Sequence, residues 1–125
     1  MNMFRLKRKY EFHAARKLTA LRDNHPCGEL HGHTFTVTIK VSGKELTDEG
    51  WIIDFYEIDS LYKENVQKYL DHKYLNDIEG LSNPTTEHIA MWIWDKLEKD
   101  LKGLSSISVS EGGSYGCKYY GAKNA

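Results

Sequence analysis

The sequence predicts an α+β fold in which an antiparallel sheet carries two helices on one face. Apolar residues alternate with polar ones near both ends of the chain, and the period lengthens to helical spacing in the middle. The resulting order is strand, strand, helix, helix, strand, strand.

Phe4, Leu6, Tyr10, Phe12 and Ala14 share one parity, and Arg5, Lys7, Lys9, Glu11 and His13 the other, which is the pattern of a half-buried strand. Arg8 interrupts the apolar side. A polar loop, Thr19 to Glu29, follows, with Asn24, Pro26 and Gly28 as turn formers. From His33 to Val41 the alternation is clean: Phe35, Val37, Ile39 and Val41 against Thr34, Thr36, Thr38 and Lys40. Phe55, Ile58, Leu61, Tyr62, Val66, Tyr69 and Leu70 then form one helical stripe. A second helix is expected after Asn83-Pro84, with Asn83 as cap and Pro84 in the first helical position. Ile89, Ile93, Leu97 and Leu101 recur along its face, and Gly103 is expected at its C-terminal cap. Ile107 and Val109 alternate with Ser106, Ser108 and Ser110, Gly112-Gly113 makes a turn, and Tyr115 to Tyr120 returns as a hairpin strand. An open four-stranded sheet leaves two edges that must be covered or paired, so an oligomer is expected.

The 125 residues suit one domain spanning 1–125, and 40% hydrophobic content with two prolines excludes wholesale disorder. A formal charge of −1 argues against nucleic acid as a partner. The longest apolar run, Ile89 to Trp94, is far short of the roughly 20 residues that cross a bilayer. Met1 to Phe12 has basic residues but no apolar core of a secretory signal. Two cysteines make no disulfide framework, and a cytoplasmic protein with reduced thiols is expected.

Several residues carry possible chemistry. In an extended segment His31 and His33 point the same way and can meet one metal ion, or they are two surface histidines at a strand start. Cys27, in a Pro-Cys-Gly turn, is a candidate nucleophile or base, or an inert loop thiol; Cys117 reads as strand packing. Asp71-His72 suits a proton relay, since a carboxylate can orient an imidazole, or it is a polar helix end. His88 reads as an exposed helix residue. Glu111 shares parity with Ile107 and Val109, so it either meets a ligand with two adjacent N–H groups or lies past the strand's end in water. Arg5, Lys7 and Lys9, with Arg16 and Lys17 beyond, make a solvated basic strip or a polyphosphate contact.

Five colinear blocks carry a resemblance: Cys27-Gly28-Glu29-Leu30-His31-Gly32-His33, Gly50-Trp51-Ile52-Ile53-Asp54-Phe55, Leu70-Asp71-His72-Lys73-Tyr74-Leu75-Asn76-Asp77, Asn83-Pro84-Thr85-Thr86-Glu87, and Glu111 with Gly116-Cys117. From Phe12 to Cys117 the chain resembles the 6-pyruvoyl-tetrahydropterin and 6-carboxytetrahydropterin synthases, and looks most like the bacterial carboxytetrahydropterin branch, which serves 7-deazaguanine (queuosine) synthesis. The resemblance implies the tunnelling fold, in which three chains close a barrel and two barrels stack into a homohexamer with active sites between chains. It implies zinc on His31 and His33, Cys27 as general base, Asp71 with His72 as proton relay, and Thr85, Thr86 and Glu111 as the pterin contacts. The family writes Phe-x-Ala-Ala-His where this chain has Phe12-His13-Ala14-Ala15-Arg16, so its third zinc ligand falls on an arginine. A guanidinium does not coordinate a cation. His13 is a substitute if a bulge turns it round, and His25 is another.

By this resemblance the expected reaction converts 7,8-dihydroneopterin triphosphate to 6-carboxytetrahydropterin, acetaldehyde and triphosphate. A sister reaction stops at 6-pyruvoyltetrahydropterin. Glu29, two residues before His31, suggests a side-chain cleavage for folate, and Arg16 suggests a pterin-binding paralogue without metal.

Overall fold

The computed structural model describes residues 3–22, 24–25 and 28–122. β1 (Phe4–Arg16) and β2 (His31–Gly43), 13 residues each, lie antiparallel in unbroken register, from Phe4 opposite Gly43 to Arg16 opposite His31. After β2 the chain forms α1 (Phe55–Tyr62), a π-helical turn (Lys63–Gln67), α2 (Lys68–Leu70), the short strand β3 (Lys73–Tyr74) and a 3-10 turn (Leu75–Asp77). α3 (Thr86–Leu97), β4 (Leu104–Glu111) and β5 (Tyr115–Tyr119) complete it. The sheet order is β3-β1-β2-β4-β5.

The α+β architecture matches the expectation, but the sheet is mixed and has five strands, because β3 runs parallel to the end of β1. Two residues are too few for alternation to reveal. A turn makes this strand: His72 at φ 60 swings the chain back, its N–H donates to the His13 carbonyl at 2.6 Å, and Asp71 Oδ1 accepts from His13 N–H at 3.0 Å. β3 pairs with Ala14 and Ala15, so most of the outer edge of β1, like that of β5, has no strand beside it among the described residues.

One face of the sheet is covered. Phe12, Phe35, Val37, Ile39, Val41, Ile107 and Val109 are buried under Ile58, Tyr62, Val66, Leu70, Ile89, Ile93 and Leu97. The four-residue spacing of Ile58, Tyr62, Val66 and Leu70 explains the π-helical turn. Four α-helical residues advance about 400°, so such a stripe drifts by about 40° at each step. A π turn winds fewer degrees per residue and returns the stripe to the sheet. Phe55 and Tyr69, expected in the stripe, are 48% and 46% exposed. α1 begins at Asp54, whose carboxylate accepts from Tyr56 N–H at 2.9 Å. No helix of the described residues is long and apolar enough to cross a membrane.

Two expected caps differ. Thr85, not Asn83, caps α3: its hydroxyl oxygen accepts from His88 N–H at 3.1 Å, while Asn83 Oδ1 accepts from Thr19 N–H at 3.0 Å and so ties down the loop after β1. Gly103 lies beyond the helix, which ends at Leu97. Its φ is +84° and a Cβ there would stand 2.4 Å from the Ser42 carbonyl oxygen, while its own carbonyl accepts from Ser42 N–H at 2.8 Å. This glycine lets the chain enter β4 close against β2. Gly103→Ala is expected to lose about 2–3 kcal/mol of stability in urea denaturation, combining left-handed strain with a backbone clash.

Arg8, the misfit on the apolar side of β1, is explained by α1. Its Nε donates to Asp59 Oδ1 at 2.8 Å, Tyr10 Oη donates to the same oxygen at 2.5 Å, and the Tyr10 ring stacks on Tyr62 at 3.9 Å. Arg8, then Tyr10, hold the Asp59 carboxyl below its usual range. A depressed carboxyl pKa stabilises above the unfolded value, near about 4, and that contribution fades as pH falls through the folded one. Both partners are part exposed (side chains 41% and 31%), so Asp59→Asn is expected to cost about 1 kcal/mol at pH 7. Denaturation repeated across pH should show the difference between the two proteins vanish in acid, below the folded pKa of Asp59.

Candidate active site

Residues directly opposite one another in an antiparallel pair share a face. Arg16 is opposite His31, Ala14 opposite His33, Phe12 opposite Phe35, and Phe35 opposite Glu111. All of them therefore point to the helix-covered side. The apolar cover ends at Phe12 and Phe35, whose rings stack at 4.9 Å. Past them opens a cleft of about 820 Å³, walled by the ends of β1 and β2, the β4–β5 turn and the start of α3.

Arg16 forms the floor of this cleft. It is 4% exposed, and its Nη1 donates to the Pro84 carbonyl at 2.9 Å. Its Nη2 donates to Glu111 Oε1 in a close ion pair, and the guanidinium carbon stands 5.1 Å from the Phe35 ring centroid. Burial of a charge is tolerable when it is paired and hydrogen-bonded in this way. Glu111 thus points inward, resolving the alternative left open by its parity. Its side chain is 15% exposed, and Oε1 lies 3.4 Å from His33 Nε2.

The two histidines are neighbours, with ring centroids 4.4 Å apart and planes at 87°. His31 Nδ1 is 2.6 Å from the Glu29 carbonyl oxygen. A carbonyl can only accept, so Nδ1 carries a proton, and in the neutral ring that leaves the lone pair on Nε2. Burial pushes the His33 pKa down; the Glu111 carboxylate opposes this, while Arg16 and His31 add to it. His33 is therefore neutral at pH 7, and its Nε2 is buried without a hydrogen bond among the described residues.

At the α3 end, Thr85 spends its oxygen on the helix cap, and Thr86 Oγ1 donates to Glu87 Oε1 at 2.9 Å, which holds the Glu87 carboxyl below its ordinary value. Thr85, Thr86 and Glu87 all line the cleft, as does Tyr115. Glu87 and Tyr115 were not singled out from the sequence. Tyr115 could have been, since a tight turn after Glu111 places it opposite that residue on the same face. Cys117 is half-buried, and burial pushes its thiol up, away from thiolate chemistry.

Other candidates lie elsewhere. Cys27 falls outside the described residues. His13 stands on the other face of β1: the strand has no bulge, and its Nδ1 lies 3.0 Å from Thr34 Oγ1. It does not join His31 and His33. Instead its ring is 5.9 Å from that of His72. Asp71 and His72 touch through Oδ2 and Nε2 at 3.6 Å, with the imidazole 77% exposed, and neither lines the cleft. His88 caps locally, with Nδ1 2.6 Å from the Asn83 carbonyl oxygen.

The donor set can be tested against a zinc ion. His31 and His33 offer two imidazoles, but the third place is filled by a cation, and the nearest carboxylate is already paired with it. Among the described residues no three His, Cys, Asp or Glu side chains gather to hold a metal. These residues do not fit a three-ligand zinc centre.

Comparison with known proteins agrees with the geometry. The model of the family described as 6-pyruvoyl tetrahydropterin synthase matches residues 5–122. A 6-carboxy-5,6,7,8-tetrahydropterin synthase of Synechocystis is 34% identical over 123 residues, 94% of each chain. A dihydroneopterin monophosphate aldolase of Pyrococcus furiosus is 41% identical over 91 residues, 70% of this chain and 75% of its own. The structure of Caenorhabditis elegans 6-pyruvoyl tetrahydropterin synthase shares the fold, with a TM-score of 0.88 over 98% of both chains at 22% identity. With nearly all its length matched, the chain belongs to the 6-pyruvoyl tetrahydropterin synthase family.

Proposed function

We propose that this chain is a pterin lyase that converts 7,8-dihydroneopterin triphosphate to 6-carboxytetrahydropterin, acetaldehyde and triphosphate, the step that serves queuosine synthesis, in the cytoplasm. The observation that carries the reading is the meeting of His31, His33, Thr85, Thr86 and Glu111 in one cleft of a chain of this family. Similarity to the Synechocystis synthase over 94% of both chains supports the choice of reaction.

In this reading Glu111 accepts from the two adjacent N–H groups of the pterin ring. A carboxylate has about four acceptor sites, so the bond from Arg16 leaves capacity for them. Thr85 and Thr86 hold the ring from the α3 side. Cys27 takes a proton from the substrate side chain, and Asp71 with His72 passes protons on. The family implies zinc on His31 and His33, where it would polarise the side-chain hydroxyls as a Lewis acid; since the third place holds Arg16, no step here depends on it.

Asp71 and His72 lie outside the cleft of their own chain, which supports a homohexamer in which one chain's relay serves another chain's cleft. The outer edge of β5 and most of that of β1, with no strand beside them among the described residues, support the same assembly.

The Pyrococcus furiosus relative favours a second reading, cleavage of a dihydroneopterin side chain for folate. Glu29 would be its acid–base group, beside His31 through the bond to the Glu29 carbonyl.

Product analysis by mass separates these readings. Purified protein with 7,8-dihydroneopterin triphosphate is expected to release acetaldehyde and 6-carboxytetrahydropterin; 6-pyruvoyltetrahydropterin alone, or a folate-type product lost in Glu29→Gln, would replace the first reading. His72→Asn tests the relay while keeping the φ 60 conformation, which asparagine tolerates. At an exposed position its melting temperature should hardly move, while kcat should fall by roughly 100-fold or more.

A further inference from the structure

We propose that the fixed positive charge of this cleft is the Arg16 guanidinium itself, and that the site takes no divalent metal. The metal claim stands independently; what the cleft binds rests on the pterin reading above. Arg16 closes β1 opposite His31 and one rung from His33, on the same face as both. A guanidinium at that place carries a positive charge, offers no lone pair and repels a dication.

Three further observations bear on the same point. Arg16 is anchored on three sides, by the Pro84 carbonyl, by Glu111 and by the Phe35 ring, so it is held in the site and not swung out of it. Glu111, 3.4 Å from His33 Nε2, is paired with that guanidinium, which offsets the negative charge it would offer a cation. Two buried nitrogens, Arg16 Nε and His33 Nε2, have no hydrogen-bond partner among the described residues. Both are sealed from solvent by the protein itself, so a ligand meets this end of the cleft through the part-exposed Glu111 carboxylate, which can accept from its ring N–H groups. Arg16 then acts as a positioning residue: it aims the Glu111 carboxylate and supplies the charge beside it.

The test begins with the full chain, exposed to zinc, dialysed free of excess and analysed for metal. Near-zero zinc is expected, and Arg16→His should acquire about one zinc per chain. Binding of neopterin, followed by its fluorescence, should be the same with and without EDTA in the unaltered protein. Arg16→Gln should weaken it by about tenfold or more, and Arg16→Lys should recover part of the loss. About one zinc per chain in the unaltered protein would overturn the proposal, as would neopterin binding abolished by EDTA, or a folded Arg16→His that takes no zinc. The zinc content of the unaltered protein decides even if the histidine variant fails to fold. Zinc-free protein that ignores neopterin would sink the pterin reading and leave the metal claim standing.

Discussion

The unbroken ladder between β1 and β2 is the constraint on which the site depends. Because side chains alternate with a period of two, one inserted residue would send every side chain beyond it to the opposite face. With 13 residues in step, Phe12, Ala14 and Arg16 stay on the side of Phe35, His33 and His31. The same regularity turns His13 toward Thr34 and away from the cleft. Core and site are thus two ends of one ladder. Its apolar rungs lie under α1, the π-helical turn and α3, and its last rungs, past the apolar cover, carry the polar groups.

The covered face was legible because burial and alternation coincide. Phe35, Val37, Ile39 and Val41 read as one side of a strand and are all buried. Ile89, Ile93 and Leu97 read as one side of a helix and are buried too. What escaped the sequence was set by single contacts with distant parts of the chain. Gly103 resembles a helix cap locally, but its need for a bare Cα comes from the Ser42 carbonyl of another strand. Arg8 looks like a fault in the pattern until Asp59 is brought across from α1. β3 exists because His72 turns the backbone, and no periodicity can announce a strand of two residues.

Legibility of the site followed the same division. His31, His33, Thr85, Thr86 and Glu111 meet in one cleft because each lies at the end of an element whose period was readable. Parity alone left Glu111 undecided between core and water. What settles its direction is Arg16, a residue 95 positions earlier in the chain. Asp71 and His72 present the reverse case. Their adjacency suggests a catalytic pair, and they do touch, yet the turn that holds them faces the edge of the sheet. Proximity to a substrate in the cleft would have to come through assembly, which a single chain's ladder does not encode.

The ion pair between Arg16 and Glu111 also sets the charge at the floor of the cleft. One guanidinium and one carboxylate nearly cancel in this pair, and Glu87, which accepts from the Thr86 hydroxyl, adds a negative charge on the α3 side. The pair, nearly neutral in sum, meets a flat heterocycle through hydrogen-bond geometry more than through long-range charge. Direction then matters more than strength. A planar guanidinium fixes its partner oxygen along a defined line, while a metal ion accepts ligands from many sides. Arg16 therefore gives Glu111 one orientation, and its anchoring to Pro84, the residue just before the α3 cap, ties that orientation to the helix that carries Thr85 and Thr86. Strand end, hairpin turn and helix start are held in one arrangement by a single side chain.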